Sequence, residues 1–198
     1  MILENIDYSE KENIIKLTIS NEIFYLSYEF YNNLDINIGD EVDFNLYKKI
    51  LNENDYNRCK SYALKQISYS NNTSFDLRNK MYRKGFSDDN ISKVIKFLKS
   101  FNFIDDDYYV RSFVNDKSKI SSWSKAKIRF RLKAKHIDDK LIDKYLDKIT
   151  YKDEYEKANF LAQKRFDLGH DKDKVFRFLA NRAFSYDIIK NVLEDLYQ

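Results

Sequence analysis

Proline is absent from this 198-residue chain, glycine occurs only at Gly39, Gly85 and Gly169, and Cys59 is the one cysteine. So few glycines leave almost none of the φ > 0 positions from which phosphate-binding loops are built. One thiol excludes an internal disulfide and any zinc site made of several thiolates, so Cys59 is read as a small packing residue. No apolar run reaches the roughly 18 residues of a membrane-spanning helix. Met1-Ile2-Leu3-Glu4-Asn5 also lacks the basic-then-apolar pattern of a secretory leader, so a cytoplasmic protein without membrane contact is expected. Reactive groups are equally sparse. His136 and His170 have no His or Cys at ligand spacing, and no serine sits in an elbow motif. With no acid–base pair, metal set or cofactor loop, the expectation is a non-enzymatic protein without cofactor.

What is present suffices for a core, since 43% of residues are hydrophobic and 34% charged. The charge is segregated. Residues 1–54 hold four Lys/Arg against eleven Asp/Glu, a net −7, whereas residues 55–198 hold 31 against 21, a net +10. In the acidic segment, Ile15-Lys16-Leu17-Thr18-Ile19 and Ile23-Phe24-Tyr25-Leu26 flank a polar Ser20-Asn21-Glu22 and predict a β-hairpin. Ile38-Gly39-Asp40-Glu41-Val42 reads as a turn, and residues 44–51 have the apolar spacing of a short helix.

Beyond residue 54 the helical period takes over and repeats. Leu77, Met81, Gly85-Phe86, Ile91, Ile95 and Leu98 align without gaps to Ile128, Leu132, His136-Ile137, Ile142, Leu146 and Ile149. The same spacing returns in Val175, Leu179, Ala183-Phe184, Ile189, Leu193 and Leu196. Apolar residues four apart form one helical stripe. The chain then stops at Gly85, His136 or Ala183, and the apolar residue that follows suits a Schellman turn packed on Met81, Leu132 or Leu179. Ser87, Asp138 or Ser185 next supplies an N-cap. Further helices over residues 56–68, 107–117 and 153–165 precede each pair. The fold class expected is therefore mostly α: tandem three-helix repeats in an elongated array behind a small β-hairpin segment, divided 1–54, 55–108, 109–151 and 152–198. Residues 125–135 alternate apolar and basic in the manner of a strand. The repeat alignment overrules that and predicts a helix with Ile128 and Leu132 inward and Phe130 outward.

Chemistry concentrates in the middle copy. Residues 117–135 carry eight basic residues and no acidic one, with Trp123 and Phe130 interleaved, a composition suited to nucleic-acid phosphates or an acidic protein surface. Asp105-Asp106-Asp107 reads as helix-start charge rather than a metal or nuclease cluster, because adjacent carboxylates point apart. Tyr82, Phe130 and Phe178 fall off the apolar stripes and are candidate exposed aromatics.

Lys84-Gly85-Phe86 with Ile91, Ile95 and Leu98, the run from Phe103-Ile104-Asp105 through Arg111-Ser112-Phe113, and Arg182-Ala183-Phe184-Ser185-Tyr186-Asp187-Ile188-Ile189 together resemble the RecX family of recombination regulators. The resemblance spans residues 55–198. It implies a helical-repeat protein, a monomer, that binds along the groove of the RecA filament on single-stranded DNA, with that DNA as a second candidate contact. In the family the effect is to restrain filament growth, ATP hydrolysis by RecA and strand exchange. His136 and Ala183 depart from the glycine usual at those turns, and Ser122-Trp123-Ser124 replaces a glycine-containing loop. With the basic second repeat facing the filament, the partner-binding residues are Lys125, Lys127, Arg129, Arg131, Lys133, Lys135, Trp123 and Phe130. Arg78, Lys80, Arg83, Lys84, Arg111, Arg177 and Arg182 are secondary candidates. Two other classes compete. A helix-turn-helix transcription regulator would bind duplex DNA without RecA, and a nuclease would depend on Asp106 and magnesium.

Overall fold

The computed structural model describes residues 1–10 and 13–197. It divides into two compact units, Met1–Ile104 and Asp105–Gln198. Among the described residues no helix is long and apolar enough to cross a membrane.

The first unit opens on an antiparallel sheet of β1 (Leu3–Ser9), β2 (Ile14–Ile19) and β3 (Glu22–Ser27), in that order. The expected hairpin is β2–β3. Ser20 and Asn21 take φ 47° and 66°, the paired left-handed conformations that match a two-residue turn to strand twist. β1 is an addition to the expected hairpin. In this strand only Leu3 is buried, so the period-2 signal is too weak to read. Each sheet edge is engaged at one residue. Along β1, Gly39 N–H donates to Leu3 O at 2.8 Å and Leu3 N–H to Asp40 O at 3.1 Å, the role taken by the turn around Gly39.

After the short α1 (Tyr28–Asn32), α2 (Phe44–Tyr69) runs unbroken for 26 residues, so the two helices expected over 44–51 and 56–68 are one. The polar Asn52-Glu53-Asn54 stretch invites a break, but Asn54 and, one turn on, Asn57 are engaged. Asn54 Oδ1 accepts from Tyr25 N–H at 2.9 Å, and Asn57 Nδ2 donates to Tyr25 O at 3.1 Å. Two amides one turn apart thereby occupy both outward backbone groups of Tyr25 on the open edge of β3. Ile50 joins the sheet core of Leu17, Leu26 and their neighbours, while Cys59 and Ala63, further along α2, enter the core of the first repeat.

That repeat continues as α3 (Ser74–Arg83) and α4 (Asp88–Ser100). The second consists of α5 (Asp106–Asn115), α6 (Lys125–Lys133) and α7 (Asp139–Leu146), the third of α8 (Tyr151–Phe166), α9 (Lys172–Ala180) and α10 (Tyr186–Leu196). The aligned apolar positions are the buried ones: Leu77, Ile128 and Val175, then Met81, Leu132 and Leu179, all at 0% exposure. Each set of three helices closes on a core of its own. The reason lies in the first helices. Cys59 and Ala63, Val110 and Val114, and Ala158 and Ala162 are small i, i+4 pairs, all buried, that let the paired helices close over them.

Schellman turns end the middle helices as expected. Phe86, Ile137 and Phe184 N–H groups donate back to Met81, Leu132 and Leu179 carbonyls at 3.4, 3.2 and 3.3 Å. Gly85, His136 and Ala183 are left-handed at φ 84°, 52° and 60°, so the two non-glycine residues carry the conformation without relief. Ser87, Asp138 and Ser185 cap the helices that follow. The alternating stretch is helix: Ile128 and Leu132 are fully buried and Phe130 is 69% exposed. α5 is prolonged by one π-helical turn, Asp116–Ile120, closed by Ser121 N–H on Asp116 O at 3.1 Å.

Candidate binding surface

Strict alternation on a helix splits into two faces. At about 100° per residue, positions four apart share a face and positions two apart lie nearly opposite. Along α6, Arg129 and Lys133 therefore fall on one side, Lys127 and Arg131 on another. The neighbouring α7 decides their fates. Its Asp139 and Asp143, also four apart, face the first pair: Arg129 pairs with Asp143 and lies 3.9 Å from Asp139, and Lys133 pairs with Asp139 at 3.1 Å. Lys125 is also engaged within the fold. Its Nζ donates to Ile149 O at 3.1 Å, and its backbone N–H to a Glu154 carboxylate oxygen at 2.7 Å. Lys135 lies over the Tyr109 ring at 5.6 Å.

Lys127 and Arg131 have different company. Lys127 Nζ sits 4.3 Å from the Trp123 ring centre, with Lys117 Nζ at 5.2 Å from the same ring. Partial burial first, then the charges of Arg182 and Arg131, pull the Lys127 ammonium below the ordinary lysine range. Arg182 comes from the turn after α9. Burial and the nearby Arg165 lower it in turn, and both guanidiniums cover Phe178, at 3.7 Å for Arg182 and 4.3 Å for Arg165. Ser124 fixes the registration between these repeats. It is fully buried, caps α6 by accepting from Lys127 N–H, and donates to Arg182 O at 2.8 Å.

The outcome is a face on which Lys117, Lys127, Arg131, Arg165 and Arg182 gather around Trp123 and Phe178. Burial and neighbouring cations are what perturb Lys127 and Arg182. Repulsion among cations held on half-buried aromatic rings is relieved by an anionic partner. Arg165 is the member that sequence reasoning passed over. It lies on the first helix of the third copy, and only the chain reversal at Gly169 lays it across Phe178.

The remaining candidates do not join this cluster. Arg177 Nε donates to Asp173 O at 3.4 Å, and Arg111 lies over Tyr108 at 5.3 Å. In the first unit, Arg78 donates to Ser92 Oγ at 3.3 Å, Lys80 to Asn72 Oδ1 at 2.7 Å, and Lys84 lies 6.0 Å from the Tyr62 ring, while Arg83 is exposed. The aspartate run serves the start of α5. Asp105 caps it, and Asp107 accepts from Lys144 Nζ and from the Tyr145 hydroxyl, each at 2.5 Å, which holds its carboxyl below the usual range. Among the described residues, no three His, Cys, Asp or Glu side chains are placed to share an ion. Cys59 Sγ packs 3.4 Å from Met81 Sδ, and burial pushes its thiol up to about 11.

Comparison with known proteins agrees with this architecture. Family models described as the first and second three-helix domains of RecX match residues 59–98 and 105–146. A regulatory protein RecX of Clostridium botulinum (strain Eklund 17B / Type B) is 32% identical, the match covering 93% of this chain and 90% of that protein. One from Finegoldia magna is 30% identical over 97% of this chain and 98% of its own. A crystal structure of regulatory protein RecX superposes with a TM-score of 0.78, covering 98% of both chains at 20% identity, and so shares the fold. With its repeated skeleton, its left-handed turns and relatives matched over nearly their full length, the chain belongs to the RecX family of regulatory proteins.

Proposed function

We propose that this protein is a non-enzymatic regulator that binds RecA filaments on single-stranded DNA and restrains their extension, ATP hydrolysis and strand exchange. The observation that carries the reading is the cationic–aromatic face of the second and third repeats, in a member of a family of regulators. Lys127, Arg131 and Arg182 are its principal contacts, with Trp123 and exposed Phe130 as packing surfaces. Arg129 and Lys133 already hold carboxylates within the repeat, so their contribution is chiefly to its stability.

The test is RecA ATPase activity on single-stranded DNA with this protein titrated in. Inhibition is expected, and the double charge reversal Lys127→Glu with Arg131→Glu is expected to raise the concentration needed by about tenfold or more, from the loss of two charge-assisted contacts. Normal inhibition by a correctly folded double variant would refute the assignment of this face. A helix-turn-helix regulator predicts instead sequence-specific binding to duplex DNA without RecA. Competition between specific and random duplexes separates the two readings.

A further inference from the structure

The second unit holds another concentration of positive charge, on residues other than those of the Trp123 face. A cavity of about 450 Å³ opens among α5, the π-helical turn, the end of α7 and the start of α8. Arg111, Lys119, Lys148 and Lys157 all line it. None of the four takes part in an ion pair among the described residues. Arg111 and Lys148 rest on the Tyr108 and Tyr145 rings, and Lys157 is half-buried, its ammonium lowered chiefly by that burial. One carboxylate reaches the cavity, Asp153, and it is committed: it accepts from Thr150 N–H at 2.8 Å and from Thr150 Oγ1 at 2.7 Å as the capping box of α8.

We infer that this cleft binds a small, multiply charged phosphate compound of the oligophosphate or nucleoside polyphosphate class. Its size lies within the roughly 300–1,000 Å³ of small-molecule sites. The arrangement of charge selects the ligand. Four cations around one cavity outnumber the two carboxylates that act on Lys157, Asp153 in the lining and Glu154 beside it, and so suit a ligand whose negative charges are clustered, whereas a nucleic-acid backbone spreads one charge per nucleotide along a strand. An arginine supplies a planar fork and three lysines supply point charges, the combination that binds phosphate oxygens. The π-helical turn contributes to this fit. Its wide i+5 closure carries Ser118 and Lys119 into the cavity wall, and such turns recur where a helix is bent to serve a site.

The inference stands apart from the filament reading and is tested without RecA. Full-length protein is titrated calorimetrically with inorganic tripolyphosphate. Saturable binding near one ligand per chain is expected, weakened about tenfold or more by Lys148→Ala with Lys157→Ala. A charge-matched change on the other face, Lys127→Ala with Arg131→Ala, is expected to alter it less than about twofold, as screened charge at a distance. Should the Lys157 variant fail to show native circular dichroism, Arg111→Gln with Lys119→Gln, both exposed, replaces it with the same expectation. Absent or non-saturating binding, several ligands per chain, or equal loss in both charge-matched variants would overturn the proposal. So would a single-stranded oligonucleotide that displaces tripolyphosphate and loses its own affinity through the same cleft substitutions, because the cleft would then belong to a strand path.

Discussion

The left-handed turns isolate the cost of a single side chain. Gly85, His136 and Ala183 do the same work at the same place in three copies, yet only the first avoids the clash between Cβ and the following carbonyl. A Cβ added at Gly85 would meet nothing within 4 Å, so Gly85→Ala probes the backbone conformation alone. It is expected to lower stability by about 1 kcal/mol, and Ala183→Gly to raise it by up to about 1 kcal/mol, the gain trimmed by the greater entropy of glycine in the unfolded chain. Urea denaturation of the two variants measures both. A change of the same sign in both would show that the turns are not equivalent. All three positions were legible from the repeat alignment, because the spacing places them at the end of a helix whatever residue stands there.

Within the second repeat, polar side chains set how its elements lie together. Asp107 at the start of α5 reaches Lys144 and Tyr145 on α7, and these hydrogen bonds hold its carboxyl below the ordinary range. A depressed folded pKa stabilises the native state above the unfolded value of about 4, and that contribution is lost as pH falls through the folded one. Asp107→Asn should therefore flatten part of the fall in stability below about pH 4, measured as denaturant midpoints across pH. Part of the slope remains, since Asp153 and Asp171 are depressed by their own capping hydrogen bonds. An unchanged acid limb would mean that the Asp107 contacts do not persist in solution. Ser124 acts between the second and third repeats. Ser124→Ala removes the cap of α6 and the donor to Arg182 O together, and about 1–2 kcal/mol of lost stability is expected by thermal or urea unfolding. A loss confined to a few tenths would leave the cap replaced by water.

Over the whole molecule, charge and fold are apportioned differently. The acidic segment and the first repeat share one helix, since α2 sends Ile50 to the sheet core and Cys59 to the repeat core. An excision at residue 54 would cut that helix rather than release a module. Positive charge governs partner binding through salt. If the Trp123 face holds filament or strand phosphates, affinity falls steeply with ionic strength, and Lys127→Ala with Arg131→Ala should reduce the log–log salt slope by about 1.5–2. Binding assays across a salt series provide the check. An unchanged slope would place those two cations outside the contact.

Sequence periodicity by itself determined the threefold skeleton, the inward residues of each helix pair, the caps and the turn positions, because each follows from local helical geometry and spacing. It also located the basic, carboxylate-free stretch of the second copy. Only tertiary structure decided which of those cations are available. Arg129 and Lys133 were indistinguishable from Lys127 and Arg131 along the chain until α7 set Asp139 and Asp143 against one face of α6. The same holds for Arg165 and Phe178, joined to Trp123 across repeats, for the third strand, and for the cleft of Arg111, Lys119, Lys148 and Lys157. Each depends on side chains brought together from separate elements, and the periodicity of one helix carries no record of what the next helix lays against it.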